Sequence, residues 1–192
     1  MLIVGTDPLE VSRSLVRGEL KCPGCGGELR PWGHARPRGL RHDEVTVKVR
    51  PRRSSCSGCG ATHVLLPSSM LVRRADASVV IGAALVAKAG GSGHRPIAVV
   101  LRRPVSTVRG WLRRFAVRAA GWRASFTELL HALDAQSAPV VVRGSVFGDA
   151  LEVLGLASAA AARRFGPRSP WQFASLASGG LLLGPAPVGE VG

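Results

Sequence analysis

The chain has 192 residues, 26 Lys plus Arg against 12 Asp plus Glu, a formal charge of +14, four cysteines and no tyrosine. A charge so far from balance points to a polyanionic partner rather than an ordinary metabolic enzyme. No apolar run reaches the roughly 20 residues that span a bilayer. The length holds one medium domain or two to three small ones.

Residues 1–21 read as a structured lead-in, with an apolar start (Leu2, Ile3, Val4) and a brief helix from Asp7-Pro8 carrying Leu9, Val11, Leu15 and Val16. Asp7 and Glu10 stand where an export signal would be apolar. The expectation is a cytoplasmic protein whose thiols stay reduced.

Residues 22–74 hold every cysteine, in two pairs, Cys22-Pro23-Gly24-Cys25 and Cys56-Ser57-Gly58-Cys59. Two residues between paired thiols let both sulfurs converge on one ion across a tight turn. Gly24 and Gly58 are read as the turn residues, with Gly26 and Gly60 just past each pair. A redox CxxC would need one pair beside a βαβ pattern, and disulfides would need an oxidising compartment. Four thiolates in two turns instead describe a closed structural Zn²⁺ site of Cys22, Cys25, Cys56 and Cys59, with no position open for a catalytic water. Binding free energy at such sites is largely folding free energy, on the order of 10–16 kcal/mol in small peptides. His34 and His63 are alternative ligands or plain loop residues. The spacing predicts a zinc ribbon with strands at Leu29–Gly33, Val45–Val49 and Thr62–Leu66. Residues 34–41 read as a basic loop, either solvated or a phosphate-binding rim, and Trp32 as a plug over the ribbon core.

Residues 75–124 change to helical patterning. Asp76 is read as the N-cap of a helix through about Lys88, stopped by Gly90-Gly91-Ser92-Gly93. A second helix begins near Arg95 with Pro96 at its first position. Ser106 is read as the cap of a third, Thr107 to about Arg118. At 100° per residue Val108, Trp111, Leu112 and Phe115 share one face of that helix. Ser106, Arg109, Gly110, Arg113 and Val117 share the other, with Arg114 beside it. Three short helices with arginines on the outward side of the last describe a helix-turn-helix. The charge supports this, since residues 22–74 carry +7 and residues 75–125 carry +8, while residues 126–192 carry −1.

Residues 125–192 read as a helical segment: Ser125 to Ala135, an apolar strand or connector at Ala138 to Val142, and a longer helix from Phe147 to Phe165 with Gly155 as a break. A short helix follows from Ser169-Pro170-Trp171 to Gly179-Gly180, and then a loose tail, Gly184 to Gly192. A neutral helical segment suits self-association, giving a homo-oligomer, docking to a partner, or packing onto the preceding helices. The predicted fold class is therefore α+β, mainly α: a four-cysteine zinc ribbon, a three-helix helix-turn-helix and a helical C-terminal segment.

Ile97-Ala98, Leu101, Ser106-Thr107-Val108-Arg109 and Trp111-Leu112 resemble the helix-turn-helix of insertion-sequence transposases and related regulators. The preceding Cys-Pro-Gly-Cys-Gly, Val-Arg-Pro-Arg-Arg and Cys-Ser-Gly-Cys-Gly, with Thr62 to Pro67, resemble the zinc ribbons at the N-termini of such proteins. The resemblance covers residues 22–118. It implies binding to double-stranded DNA in the setting of a mobile element, beside a separately encoded recombinase. The expected DNA-facing set is Arg95, Arg102, Arg103, Ser106, Thr107, Arg109, Gly110, Arg113 and Arg114. Arg109 and Arg113 would read bases, and Arg102, Arg103 and Arg114 would position phosphates. One departure is Arg102, which stands at the turn position usually held by glycine and must adopt a left-handed conformation or another turn.

The expectation is a binding protein and not an enzyme. After residue 124 only Glu128, Asp134, Asp149, Glu152 and Glu190 remain as carboxylates for a two-metal site, and the absence of tyrosine excludes tyrosine recombination. A general transcriptional regulator shares the same chemistry. A protein–protein adaptor with minor DNA contact is the alternative of a different class.

Overall fold

The computed structural model describes residues 1–137, 140 and 144–184. In chain order these form β1 (Leu2–Val4), α1 (Pro8–Val16), β2 (Leu29–His34), β3 (Arg38–His42), β4 (Val45–Val49), β5 (Arg52–Cys56) and β6 (Thr62–Pro67). Helices α2 (Ser78–Ala89), α3 (His94–Val100), α4 (Val105–Leu133), α5 (Val146–Phe165) and α6 (Pro170–Ala177) follow. The class is α+β, with the helices outweighing the strands.

Four strands form one mixed sheet in the order β1-β6-β5-β2, in which only β1 and β6 run parallel. Alternation along β1 and β6 makes this sheet a partition, because successive side chains point to opposite faces. Val4 and Leu65 face a small core with Val11, Leu15, Cys22, Leu29 and Cys56. Their neighbours Ile3 and Leu66 face the large helical core. The lead-in is thus no separate segment. Asp7 caps α1 by accepting from the Leu9 N–H at 2.8 Å, and Pro8 occupies the first turn without a missing bond. The helix then seals the small core with Val11 and Leu15, one turn apart.

The expected basic loop at 34–41 overlaps β3, which pairs antiparallel with β4 through Leu40↔Val47. Leu40 is the hairpin's one buried side chain, and it enters the helical core. Asp76 anchors the hairpin there. Its carboxylate is buried and accepts from Arg41 Nε at 3.0 Å, Arg41 Nη2 at 2.7 Å and Arg103 Nε at 2.6 Å. Asp76 is therefore not the N-cap of α2. Ala77 holds that position, and no side chain caps the helix.

Helices α2, α3 and α4 occupy the places expected for the three-helix unit. Pro96 lies at the third position of α3 rather than the first. Arg102 takes the left-handed conformation, φ +49°, that a turn without glycine requires. Pro104, not Ser106, precedes α4, which continues unbroken past the expected boundary at 124–125 to Leu133. Its stripe of Val108, Trp111, Leu112, Phe115, Ala119, Trp122, Phe126 and Leu130 recurs every three or four residues and is wholly buried. The stripe packs on Ala150, Val153, Leu154, Ala157 and Ala161 of α5, which passes Gly155 without a break. Ser169 caps α6 by accepting from the Trp171 N–H. The Trp171 ring lies so close to α2 that a Cβ on Gly82 would stand 2.0 Å from it.

After α6 the chain turns at residues 181–183, and three successive carbonyls are each tied down. Arg118 donates to Leu181 at 2.7 Å, Trp122 to Leu182 at 3.0 Å and Arg74 to Leu183 at 2.9 Å. The segment expected at Ala138–Val142 lies outside the described residues apart from Val140, as does the tail beyond Gly184. No described helix is long and apolar enough to cross a membrane.

Candidate functional site

The loops before β2 and β6 present the two cysteine pairs to each other. In each, the backbone closes the same way: the Gly26 N–H donates to the Cys22 carbonyl at 2.9 Å, and the Gly60 N–H to the Cys56 carbonyl at 3.0 Å. Gly26 and Gly60 both have φ +71°, so the left-handed residue lies just after each pair. This corrects the expectation that Gly24 and Gly58 make the turn. A bond from the Ser57 N–H to the Glu28 carbonyl, 2.9 Å, locks one loop to the other.

The four sulfurs lie within 4.8 Å of one another, positioned to hold a metal ion. Cys22 and Cys56 are buried, whereas Cys25 and Cys59 face solvent. Backbone N–H groups of Cys59 and Gly58 favour the Cys56 thiolate and bring its thiol down to about 6. Cys25 moves the other way, to about 12: the Gly27 N–H favours its thiolate, but the crowding Cys56, Cys59 and Cys22 thiols outweigh it. Gly27, which sequence reasoning passed over, is a packing requirement of the site. A Cβ there would lie 3.0 Å from Cys56 Sγ and 3.3 Å from Cys25 Sγ. His63 is no loop residue but belongs to β6, and its Nε2 lies 3.4 Å from Cys22 Sγ. That contact completes the surroundings of a sulfur already in the four-thiol set. Trp32 is 59% exposed and does not plug the small core, which α1 closes instead.

The nine residues expected to face DNA divide into three groups. Arg95, Ser106, Arg109, Arg113 and Arg114 are exposed, and Thr107 and Gly110 are half-buried on the same helices. Arg114 Nη1 folds back over Gly110, so close that a Cβ there would stand 2.9 Å away. Arg102 is exposed but ion-paired with Glu44 of the β3–β4 turn, a surface contact of small energetic weight. Arg103 differs. Its side chain is 7% exposed, held by Asp76 and by the Asp43 carbonyl at 2.9 Å. That leaves it little surface to offer a phosphate. The sequence could not signal this, because the partner carboxylate comes from a residue that reads locally as a helix cap.

Compared with known proteins, the chain matches no family model, no curated protein and no solved structure.

Proposed function

We propose that the protein is a zinc-stabilised, sequence-reading DNA-binding protein and not an enzyme. In this reading the cysteine module is a zinc ribbon, and α2, α3 and α4 act as a helix-turn-helix. Four thiolates at about 2.3 Å from a tetrahedral ion stand about 3.8 Å apart. The Cys22–Cys59 sulfur separation is 3.8 Å and Cys25–Cys56 is 3.4 Å, which suits Zn²⁺ as a structural ion.

One observation carries the DNA reading. Arg109 and Arg113 stand exposed, one turn apart, on α4 opposite the buried Val108, Leu112 and Phe115, and neither pairs with a described carboxylate. Arginine's fork matches O6 and N7 of guanine in the major groove, worth about 1–3 kcal/mol of discrimination per good pair. Selection from a random duplex pool tests it. Arg109→Ala is expected to relax preference at one or two base positions, with Arg113→Ala as the second reader. Unchanged preference in both variants would mean that α4 does not read the groove. An accessory role in transposition beside a recombinase is carried by motif order alone, and footprinting on the DNA flanking the protein's own gene tests it.

A further inference from the structure

Between α4, the loop before α2 and the turn at 181–184 lies a cleft of about 710 Å³. Arg73, Arg74, Arg113, Arg114 and Arg118 line it, and no described carboxylate does. Met1, Val72, Val117, Leu181, Leu183 and Gly184 make up the rest of its lining. Two of the five guanidiniums are held in place by neutral groups. Arg118 donates to the Leu181 carbonyl and stacks on Trp122, 4.1 Å from its ring centre. Arg74 donates to the Leu183 carbonyl, while its Nε is enclosed with no hydrogen-bond partner among the described residues. Burial pulls both pKa values down, and the nearby Arg114 charge pulls that of Arg74 down further. Arg73 stands at the mouth with φ +60°, a conformation that side-chain-bearing residues rarely adopt.

Five arginines line one cleft without a described counter-charge, and an anion with several acceptor oxygens suits them, because each guanidinium offers a planar fork of donors. Arg113 belongs both to this cleft and to the outward face of α4. A DNA strand following that face therefore runs toward the cleft. We propose that the arginine cleft holds a phosphate group, the backbone phosphates flanking the site read by α4 being the source. The source rests on the DNA reading above, whereas the cleft's phosphate chemistry does not.

The test uses the full chain and the variant Arg73→Gln/Arg114→Gln. Both side chains are exposed and make no hydrogen bond to a described residue, so the fold should survive, as a melting curve checks. If the double variant melts early, Arg73→Gln alone replaces it, with half the expected change. In the first arm duplex DNA is titrated at several salt concentrations. The variant should bind at least about tenfold more weakly to every sequence, with a salt slope shallower by about 2, since each arginine displaces about one counterion. In the second arm inorganic pyrophosphate is added at matched ionic strength. A rise in the wild-type melting temperature that the variant lacks, with the DNA slope unchanged, would support the cleft and assign it to a free phosphate compound. An unchanged slope with no pyrophosphate effect overturns the proposal while leaving DNA binding intact. If the wild type binds no duplex, the DNA reading fails and the pyrophosphate arm alone decides the cleft.

Discussion

Arg103 and Asp76 form a closed ion pair, 2.6 Å between Nε and Oδ1, with both side chains less than a tenth exposed. Removing one partner of such a pair leaves a buried charge and typically costs about 3–5 kcal/mol. Arg41 remains beside Asp76, which places Arg103→Ala near the lower end. The melting temperature should fall by about 6–12 °C, at about 2–4 °C per kcal/mol for a chain of this size. A thermal melt monitored by circular dichroism checks it. Unaltered melting together with a shallower salt slope would return Arg103 to the phosphate-contacting set.

Metal removal is expected to reach beyond the cysteine module. β1 and β6 share side chains between the small core and the helical one, and Asp76 ties the β3–β4 hairpin to the α3–α4 turn. One metal ion per chain is expected by elemental analysis, without added metal. Strong chelation or Cys56→Ser should loosen the sheet and also lower the melting of the helices. Two separate transitions, the helical one unmoved by chelation, would show that the modules are independent.

Metal affinity should fall as pH falls, because a proton competes for each thiolate. At neutral pH the Cys25 thiol, at about 12 without metal, is protonated and must release its proton on binding. Cys56, at about 6, is already largely thiolate there. As pH drops through about 6 it gains a proton too, so log affinity against pH should steepen by one. Competition titrations between pH 5 and pH 8, a range set roughly by these thiols, measure it. A constant slope through that window would mean that Cys56 carries no special stabilisation.

Gly82→Ala pits helix propensity against space. Alanine favours a helix interior by about 1 kcal/mol over glycine. The added Cβ would meet Trp171 at 2.0 Å, far inside contact distance, and overpacking costs about 1–3 kcal/mol or more. Net destabilisation is expected, and Trp171→Leu should relieve part of it. Additive losses in the double variant would place the cost elsewhere.

What could be read from sequence was local. The cysteine pairs declare themselves because two residues of spacing force convergence, and Val108, Trp111, Leu112 and Phe115 because helical periodicity sorts them onto one face. Three things stayed hidden. β3 and β5 are built mainly from Arg, Gly, His and Ser and hold no β-branched residue, so their strand state comes from pairing partners. α4 continues through Gly121 because Trp122, Phe126 and Leu130 bury against α5, a tertiary reward that propensity does not see. Asp76 carries a capping residue's identity, yet the two arginines that claim it come from 35 and 27 residues away.

The parallel pairing of Leu2 with Leu65 has a kinetic consequence. The two strands are roughly 60 residues apart, and closing so long a loop slows the search for the native pairing. An ion gripping both cysteine pairs short-circuits much of that path, leaving roughly 26 residues to close and reducing the entropic cost by just under 1 kcal/mol. Refolding from denaturant should then run severalfold faster with metal than without, with β1 the last strand to dock.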